Sequence, residues 1–439
     1  MFKKNIVWLL TVVLINLSAV ENNSDKSSLN VSANVAPVNN VSSNAASVDM
    51  VTGTGALGRW LHLPKDSGIR LGGLWIGDMN ALCHGGLSTP PPKKFAGINL
   101  LVLDLAIDTE KFCNIKNGLF GAEFLQLNGQ DANRYAGAAQ GYNSLVDPPP
   151  LNRSELYQLW YRHTFFDNKL IIRAGKTVPT FDFNNVIHPI TASSSTIAIP
   201  AITGLIYTPI FVNSSMLGVL PGYYNSAWGI TTTVFPLKTS YIAYGLYDGN
   251  LARGVQTGIK IGPTINSYSF QILEGGHSWE LGEQKKPGRF AIGGWRQTGK
   301  LSTTTDITEQ GALGIYFFGT QRLWFKNPSI DKSGITFFYQ FGVNNSITLP
   351  FPKYLGLGLT AFSLIAKRPD DSFGIGLALA WLNKRTFTHK TECMLQAYYQ
   401  LKFIKSSYLE SAFTYIPHPG LPNSKPQTVT FTTRIITLF

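Results

Sequence analysis

Arg162, Arg173, Trp160 and Gln158 are the residues of this chain whose types and spacing could do chemistry together. Guanidinium groups donate to oxygen acceptors, a Gln amide both donates and accepts, and an indole face can lie against apolar C–H surface. Asp104 and Glu123 are candidate counter-charges on neighbouring segments, and Asp182, Asn184 and Asn185 form a further cluster of donors and acceptors. No nucleophile is paired with a base here, and no metal-ligand set is formed. The chemistry is reversible contact with a polar solute, which exchanges water hydrogen bonds for protein ones weakly enough to leave again.

These residues need a scaffold that turns them to one side, and alternating strands provide it. Runs 155–166 and 169–176 alternate in polarity and are joined by Asp167-Asn168, a two-residue hairpin signal. Counting outward from that turn sets Thr164 opposite Ile171, Arg162 opposite Arg173 and Trp160 opposite Gly175. The other face carries Tyr157, Leu159, Tyr161, His163 and Phe165, with Leu170, Ile172 and Ala174 opposite. Two arginines directly across a strand pair repel, so their face should be wet and supplied with acceptors. In the run from Asn99, residues Leu101, Leu103, Leu105 and Ile107 share the apolar face, which turns Asp104 the other way. A solute-contact role and an Arg–carboxylate network that only stiffens the wall are both open for the arginines. Trp160 fits stacking or a rim girdle, and the Asp182–Asn185 cluster fits an infolded loop or an Asx turn. Arg153, Glu155, Arg296 and Arg322 are further candidates whose parity counting does not fix.

About seventeen such runs recur, each about ten residues long, the length of a barrel strand. They begin near residues 69, 99, 118, 155, 169, 226, 241, 255, 267, 289, 310, 334, 354, 372, 392, 406 and 428. An antiparallel barrel with both ends on one side needs an even number, so sixteen strands are expected, with eighteen the alternative. Either 69–77 lies outside the wall, or 204–212 (GLIYTPIFV) is a missed strand. The long stretch 178–224 is expected to fold inward as a constriction loop. The chain closes on Phe439, an aromatic end to an alternating run.

Composition agrees. Of 439 residues only 14% are charged against 44% hydrophobic, whereas soluble domains carry about a quarter charged. Whole-chain disorder is excluded, and so is a polytopic helical membrane protein, since only one apolar run approaches helical length. That run, 6–17, follows Lys3 and Lys4 and precedes Ser18-Ala19, the order of a secretory leader. The expected organisation is a leader over 1–19, an Asn/Ser-rich flexible segment over 20–51 and a barrel over 52–439. Cys83, Cys113 and Cys393 leave an odd count; a Cys83–Cys113 bridge between loops and three free thiols are both compatible. Gly72-Gly73 and 356–358 sit in strands, so they are no nucleotide fingerprint. His277 and Glu280, in the turn-rich 275–288, lack a third ligand. The net charge of +12 is dispersed along strands, which excludes a nucleic-acid patch.

Several peptides together resemble a known family. They are 72–78 (GGLWIGD), 118–130 (GLFGAEFLQLNGQ), 148–162 (PPPLNRSELYQLWYR), 169–176 (KLIIRAGK) and 181–186 (FDFNNV). Further on come 247–252 (YDGNLA), 286–299 (KPGRFAIGGWRQTG), 321–324 (QRLW) and 368–372 (RPDDS). In order, from about Trp60 to Phe439, the chain resembles the carbohydrate-selective porins of the OprB family. That resemblance implies a sixteen-stranded all-β barrel in the bacterial outer membrane, passing sugars and surrounded by lipid. The pore would be narrowed by infolded loops and by charged and aromatic side chains, with no cofactor and no catalysis; a homotrimer is typical of general porins. An anion-selective or general diffusion porin is the alternative, given the positive balance. A barrel lipase would need a Ser–His pair on the lipid face, and His163 has no Ser beside it. The Asn/Ser-rich stretch and the cysteines depart from the family pattern.

Overall fold

The computed structural model describes residues 54–439 except 65, 147–150, 187–189, 192–197, 200–203, 221–224, 250–267, 303–306, 328–332 and 405. The expected leader and flexible segment, and the alternating run near Val255, lie outside the described residues. Along the chain the strands are β1 (Ile69–Leu87), β2 (Phe95–Asp108), β3 (Gly118–Gly129), β4 (Arg153–Phe165), β5 (Leu170–Thr177), β6 (Ile190–Thr191), β7 (Ala198–Ile199), β8 (Ala227–Leu237) and β9 (Ser240–Asp248). They continue as β10 (Ser269–Leu281), β11 (Lys286–Ser302), β12 (Thr308–Phe325), β13 (Gly334–Asn344), β14 (Lys353–Phe362), β15 (Ser372–Trp381), β16 (Thr391–Ile404), β17 (Ser407–Ile416) and β18 (Ser424–Leu438). All except β6 and β7 join one closed antiparallel barrel of sixteen strands, with β5 beside β8 and β18 beside β1. Residues 69–77 are in the wall after all, as the start of β1, and 204–212 is not a strand.

Closure leaves the barrel sheet without an edge. At the seam Leu74 faces Leu438, and Phe439 exchanges backbone hydrogen bonds with Gly73 at 2.8 and 3.0 Å. Asp78 of β1 takes both Nε and Nη2 of Arg434 of β18 at 2.8 Å, so a two-pronged ion pair also crosses it. One end of the barrel has short turns, at 166–169, 238–239 and 282–285; the other has long connections, at 130–152, 178–226 and 249–268.

The β4–β5 hairpin forms in the counted register, with Arg162 opposite Arg173 and Trp160 opposite Gly175. Phe166, Asp167 and Asn168 all have positive φ (54°, 53° and 67°), the left-handed backbone that a tight hairpin connection requires and that Asn and Asp tolerate. Counting by twos fails at bulges on several strand pairs, and one of them bears on the site. Between β3 and β4 the register breaks after Glu123↔Gln158, resuming at Phe124↔Leu156, so Tyr157 is an extra residue. This bulge turns Tyr157 into the buried interior instead of onto the outer face, and it brings Glu155 and Arg153 inward.

Between the bulges alternation holds. Ile292 and Ile315 face outward, 54% and 56% exposed, while Ala291 and Tyr316 beside them are 0% and 1% exposed. A charge on the outer face would lie in hydrocarbon, so Ile292→Arg should cost about 2–4 kcal/mol of folding stability in lipid vesicles. Urea titration of refolded protein checks this, and an unchanged midpoint would place Ile292 away from lipid.

The cysteines are free thiols. Cys83 lies in β1 toward the long-connection end, whereas Cys113 follows β2 at the short-turn end. Residues 275–288 are a strand hairpin around a tight turn rather than a loop.

Candidate functional site

Two long connections fold into the barrel, and the wall holds each by buried polar side chains. The first, 130–152, starts with a short helix, Ala132–Ala136, capped by the Asp131 carboxylate on Arg134 N at 2.9 Å. It then descends past Tyr142, Leu145 and Val146, all buried. Glu392 of β16 accepts from the backbone N–H of Ala139 and Gln140, both at 2.8 Å, and of Gly420 at 2.6 Å. Asn143 Nδ2 donates to Asp78 at 2.7 Å and to Asn80 at 2.9 Å, which ties this connection to the ion pair at the seam.

The second connection, 178–226, is the one expected to constrict. Its stretch 204–220 packs apolar side chains such as Leu205, Ile210 and Met216 into the interior and touches the first connection through Ser144 N on Ile206 O at 2.7 Å. Gln396 of β16 bonds both connections: its Oε1 accepts from Ile206 N at 2.7 Å and its Nε2 donates to Tyr142 O at 3.1 Å. Gln340 and Asn344 of β13 reach Pro209 O and Ser215 O. GLIYTPIFV lies within the stretch expected to fold inward, and its apolar run also allowed a strand, because such a run reads alike in a wall or packed against one.

Asp182, Asn184 and Asn185 belong to this second connection and lie in the interior. The helical turn Pro179–Asp182 points the Asp182 carboxylate at the wall, where it accepts from Arg173, from Thr231 Oγ1 at 3.1 Å and from Tyr247 OH at 3.4 Å. Burial pushes this carboxyl above the ordinary range, and the Arg173 charge pulls it back down. Asn184 adopts φ 51°, and its backbone N–H donates to Glu274 Oε2 at 2.7 Å. The same carboxylate takes Tyr241 OH at 2.6 Å and Tyr316 OH at 2.7 Å. Arg289 donates to the Asn185 carbonyl, with its guanidinium 5.1 Å from the Phe318 ring. Glu274 and Arg289 therefore clamp two consecutive residues of the loop. The Asn184 side chain is fully buried, and neither amide atom has a hydrogen-bond partner among the described residues.

Opposite this loop stand the residues singled out on β2 to β5. Asp104, Glu123, Gln158, Trp160, Arg162 and Arg173 all face inward, each 4% exposed or less. Trp160 is not at a rim. Its indole lies in the slot left by Gly121, where a Cβ would come within 2.4 Å of it, and carries the Arg173 guanidinium 5.6 Å from the ring centroid. Glu123 accepts from Gln158 Nε2 at 2.7 Å, and Asp104 pairs with Arg70 at 3.4 Å. The counter-charge of Arg173 is thus Asp182, brought by the loop. The two candidate counter-charges, Asp104 and Glu123, bond Arg70 and Gln158 instead.

The four further candidates divide. Arg153 pairs with Glu155 at 3.4 Å, and Arg322 is buried with its guanidinium 5.0 Å from the Phe325 ring. Arg296 is exposed on the outer face of β11, so it cannot line the interior. Missed altogether were Glu274, Arg289, Gln396, Glu392, Asp78 and Arg434. A usable signal existed for Glu274: it sits at the inward parity of Phe270 and Ile272, a lone carboxylate in an apolar row. No cluster of three His, Cys, Asp or Glu able to hold a metal occurs among the described residues.

The sequence matches the family model for carbohydrate-selective porins of the OprB family over residues 94–439. No curated protein matches it. Among solved structures, the high-pH form of Pseudomonas putida OprB is similar with a TM-score of 0.73 at 16% identity, covering 90% of this chain and all (100%) of that one. The low-pH form of the same protein gives 0.56 at 13% identity, covering 90% and 99%. At such identities the likeness is one of fold.

Proposed function

Because the chain belongs to the OprB family of carbohydrate-selective porins, a family of outer-membrane barrels, we propose that it gives sugars a passive route across that membrane through a constriction between β2–β5 and the infolded second connection. Supporting this reading above all is the Trp160–Arg173–Asp182 assembly, in which an aromatic face, a cation and a carboxylate from wall and loop meet inside a closed barrel. Sugar hydroxyls both donate and accept, and sugar C–H faces are apolar, so such a site matches a saccharide on each count.

A solute entering from the long-connection side would give up water hydrogen bonds to Arg162, Gln158, Glu123 and Asp104 on the wall and to Asn184 and Asn185 on the loop. Asn184 offers one donor and one acceptor side by side, the complement of two adjacent hydroxyls. Because Arg173 and Asp182 are already paired, and Arg70 likewise with Asp104, each contact is a partial exchange rather than a full capture. Weak contact of that kind lets the solute leave, as a diffusion channel requires. The paired charges also keep the fixed field at the constriction small, which favours a sugar pore over an anion pore at this level. The short-turn end is assigned to the periplasm, as in outer-membrane barrels generally, and residues 1–19 act as the export leader.

Liposome swelling tests the proposal. Vesicles carrying the protein should swell in isotonic monosaccharide faster than in a neutral, non-saccharide solute of equal size. Equal rates for the two would leave a general pore.

A further inference from the structure

The charge of this protein is unevenly placed between its two ends. At the short-turn end, exposed lysines alternate with carboxylates such as Glu110, Asp167, Glu283 and Asp370. At the long-connection end the exposed charges among the described residues are nearly all positive: Lys93, Lys94, Arg134, Lys384, Lys390 and Lys425. The acids near them are already used. Asp131 caps the helix that carries Arg134, and Glu392 is buried under three backbone N–H groups.

These cations form one rim. Ser88 N bonds Asn423 O at 2.7 Å, and Leu421 N bonds Gly137 O at 3.0 Å, which joins the β1–β2, β3–β4 and β17–β18 connections. Glu392 adds the start of β16, next to Lys390, and the His389 and His418 rings lie 6.3 Å apart across the same junction. The connection carrying Arg134 is also the one whose following residues descend into the barrel. A solute held at this rim is therefore delivered to the interior.

We propose that this rim is an entry site for anionic saccharides, those bearing a carboxylate or phosphate, and that it sets which sugars arrive while the constriction reads their hydroxyls. This rests on the sugar-pore reading above and names its preferred substrate class. A mouth of one sign concentrates the opposite charge and raises association rates by about 10- to 1000-fold, an effect that fades with salt. Location on the connections, rather than on the lipid-facing wall, favours a solute over a lipid headgroup as the occupant.

The test compares block of single channels by glucuronate and by glucose, added on the long-connection side at low and high salt. Wild type should show an association rate for glucuronate about tenfold or more above that for glucose at low salt, converging at high salt. The variant Arg134→Gln/Lys390→Gln/Lys425→Gln should lose that advantage with glucose block and both dissociation rates unchanged. Glu at the same three positions should invert the preference. Equal association rates in wild type, or an advantage that survives both variants, would overturn the proposal. Absence of glucose block in wild type, with the glucuronate advantage intact, would instead sink the sugar constriction and leave the rim standing.

Discussion

Glu274→Ala should free the constriction loop, raising single-channel conductance several-fold and abolishing sugar block. The carboxylate accepts from Asn184 N, Tyr241 OH and Tyr316 OH; Asn184 and Tyr316 are buried and Tyr241 is half-buried. Leaving a buried donor without its acceptor costs about 1–3 kcal/mol, and the loop can escape that cost only by leaving the wall. Arg289 would still hold the Asn185 carbonyl, so Glu274→Ala with Arg289→Ala should exceed either change alone. Glu274→Gln keeps the shape but turns an N–H₂ toward a donor, and an intermediate conductance is expected. Planar-bilayer recording measures all of these, with heat-modifiable gel migration reporting whether the barrel itself remains folded. A folded Glu274→Ala barrel with wild-type conductance and block would show that the loop is held by other contacts.

Arg173→Ala should weaken sugar block about ten- to hundredfold, the equivalent of about 1.5–3 kcal/mol for one charge-assisted hydrogen bond. Two effects add. The solute loses a donor on the indole face of Trp160, and Asp182 loses the partner that opposes its burial. An unpaired buried carboxylate takes up a proton, so the loop should stay closer to the wall in Arg173→Ala than in Asp182→Ala, which strands a buried guanidinium instead. Arg162→Ala, which keeps the Arg173–Asp182 pair, should weaken block with little change in conductance. A double-mutant cycle over Arg173 and Asp182 separates solute contact from loop anchoring. Unchanged block in both arginine variants would remove them from the solute path.

Much of the wall was legible because lipid and lumen impose opposite demands on successive residues. The β4–β5 register followed from Asp167-Asn168 alone, and the inward turn of Asp104 from its four apolar neighbours at period two. Tyr157 shows where that logic stops. A single bulged residue shifts every side chain beyond it, and nothing in ELYQLWYR marks the extra residue. The loops were legible in part. Asp182, Asn184 and Asn185 stood out as donors and acceptors in a long connection, but their wall partners Glu274 and Arg289 lie some ninety or more positions downstream. Such pairings are set by barrel closure, which brings β10 and β11 round to face the loop, and local sequence carries no trace of them. Glu392 and Gln396 were invisible for the same reason. They satisfy backbone groups of loops that have no regular hydrogen-bond ladder of their own.

A saccharide constriction shared by Arg173, Trp160 and the clamped loop is tested most directly by single-channel conductance in a planar bilayer, titrated with neutral mono- and oligosaccharides under a salt gradient. Saturable, concentration-dependent block by a neutral sugar is the expected result, accompanied by a reversal potential that shows only modest anion preference. A strongly anion-selective reversal potential with no sugar block at any concentration would contradict it. The barrel would then belong to the family in its fold and not in its cargo.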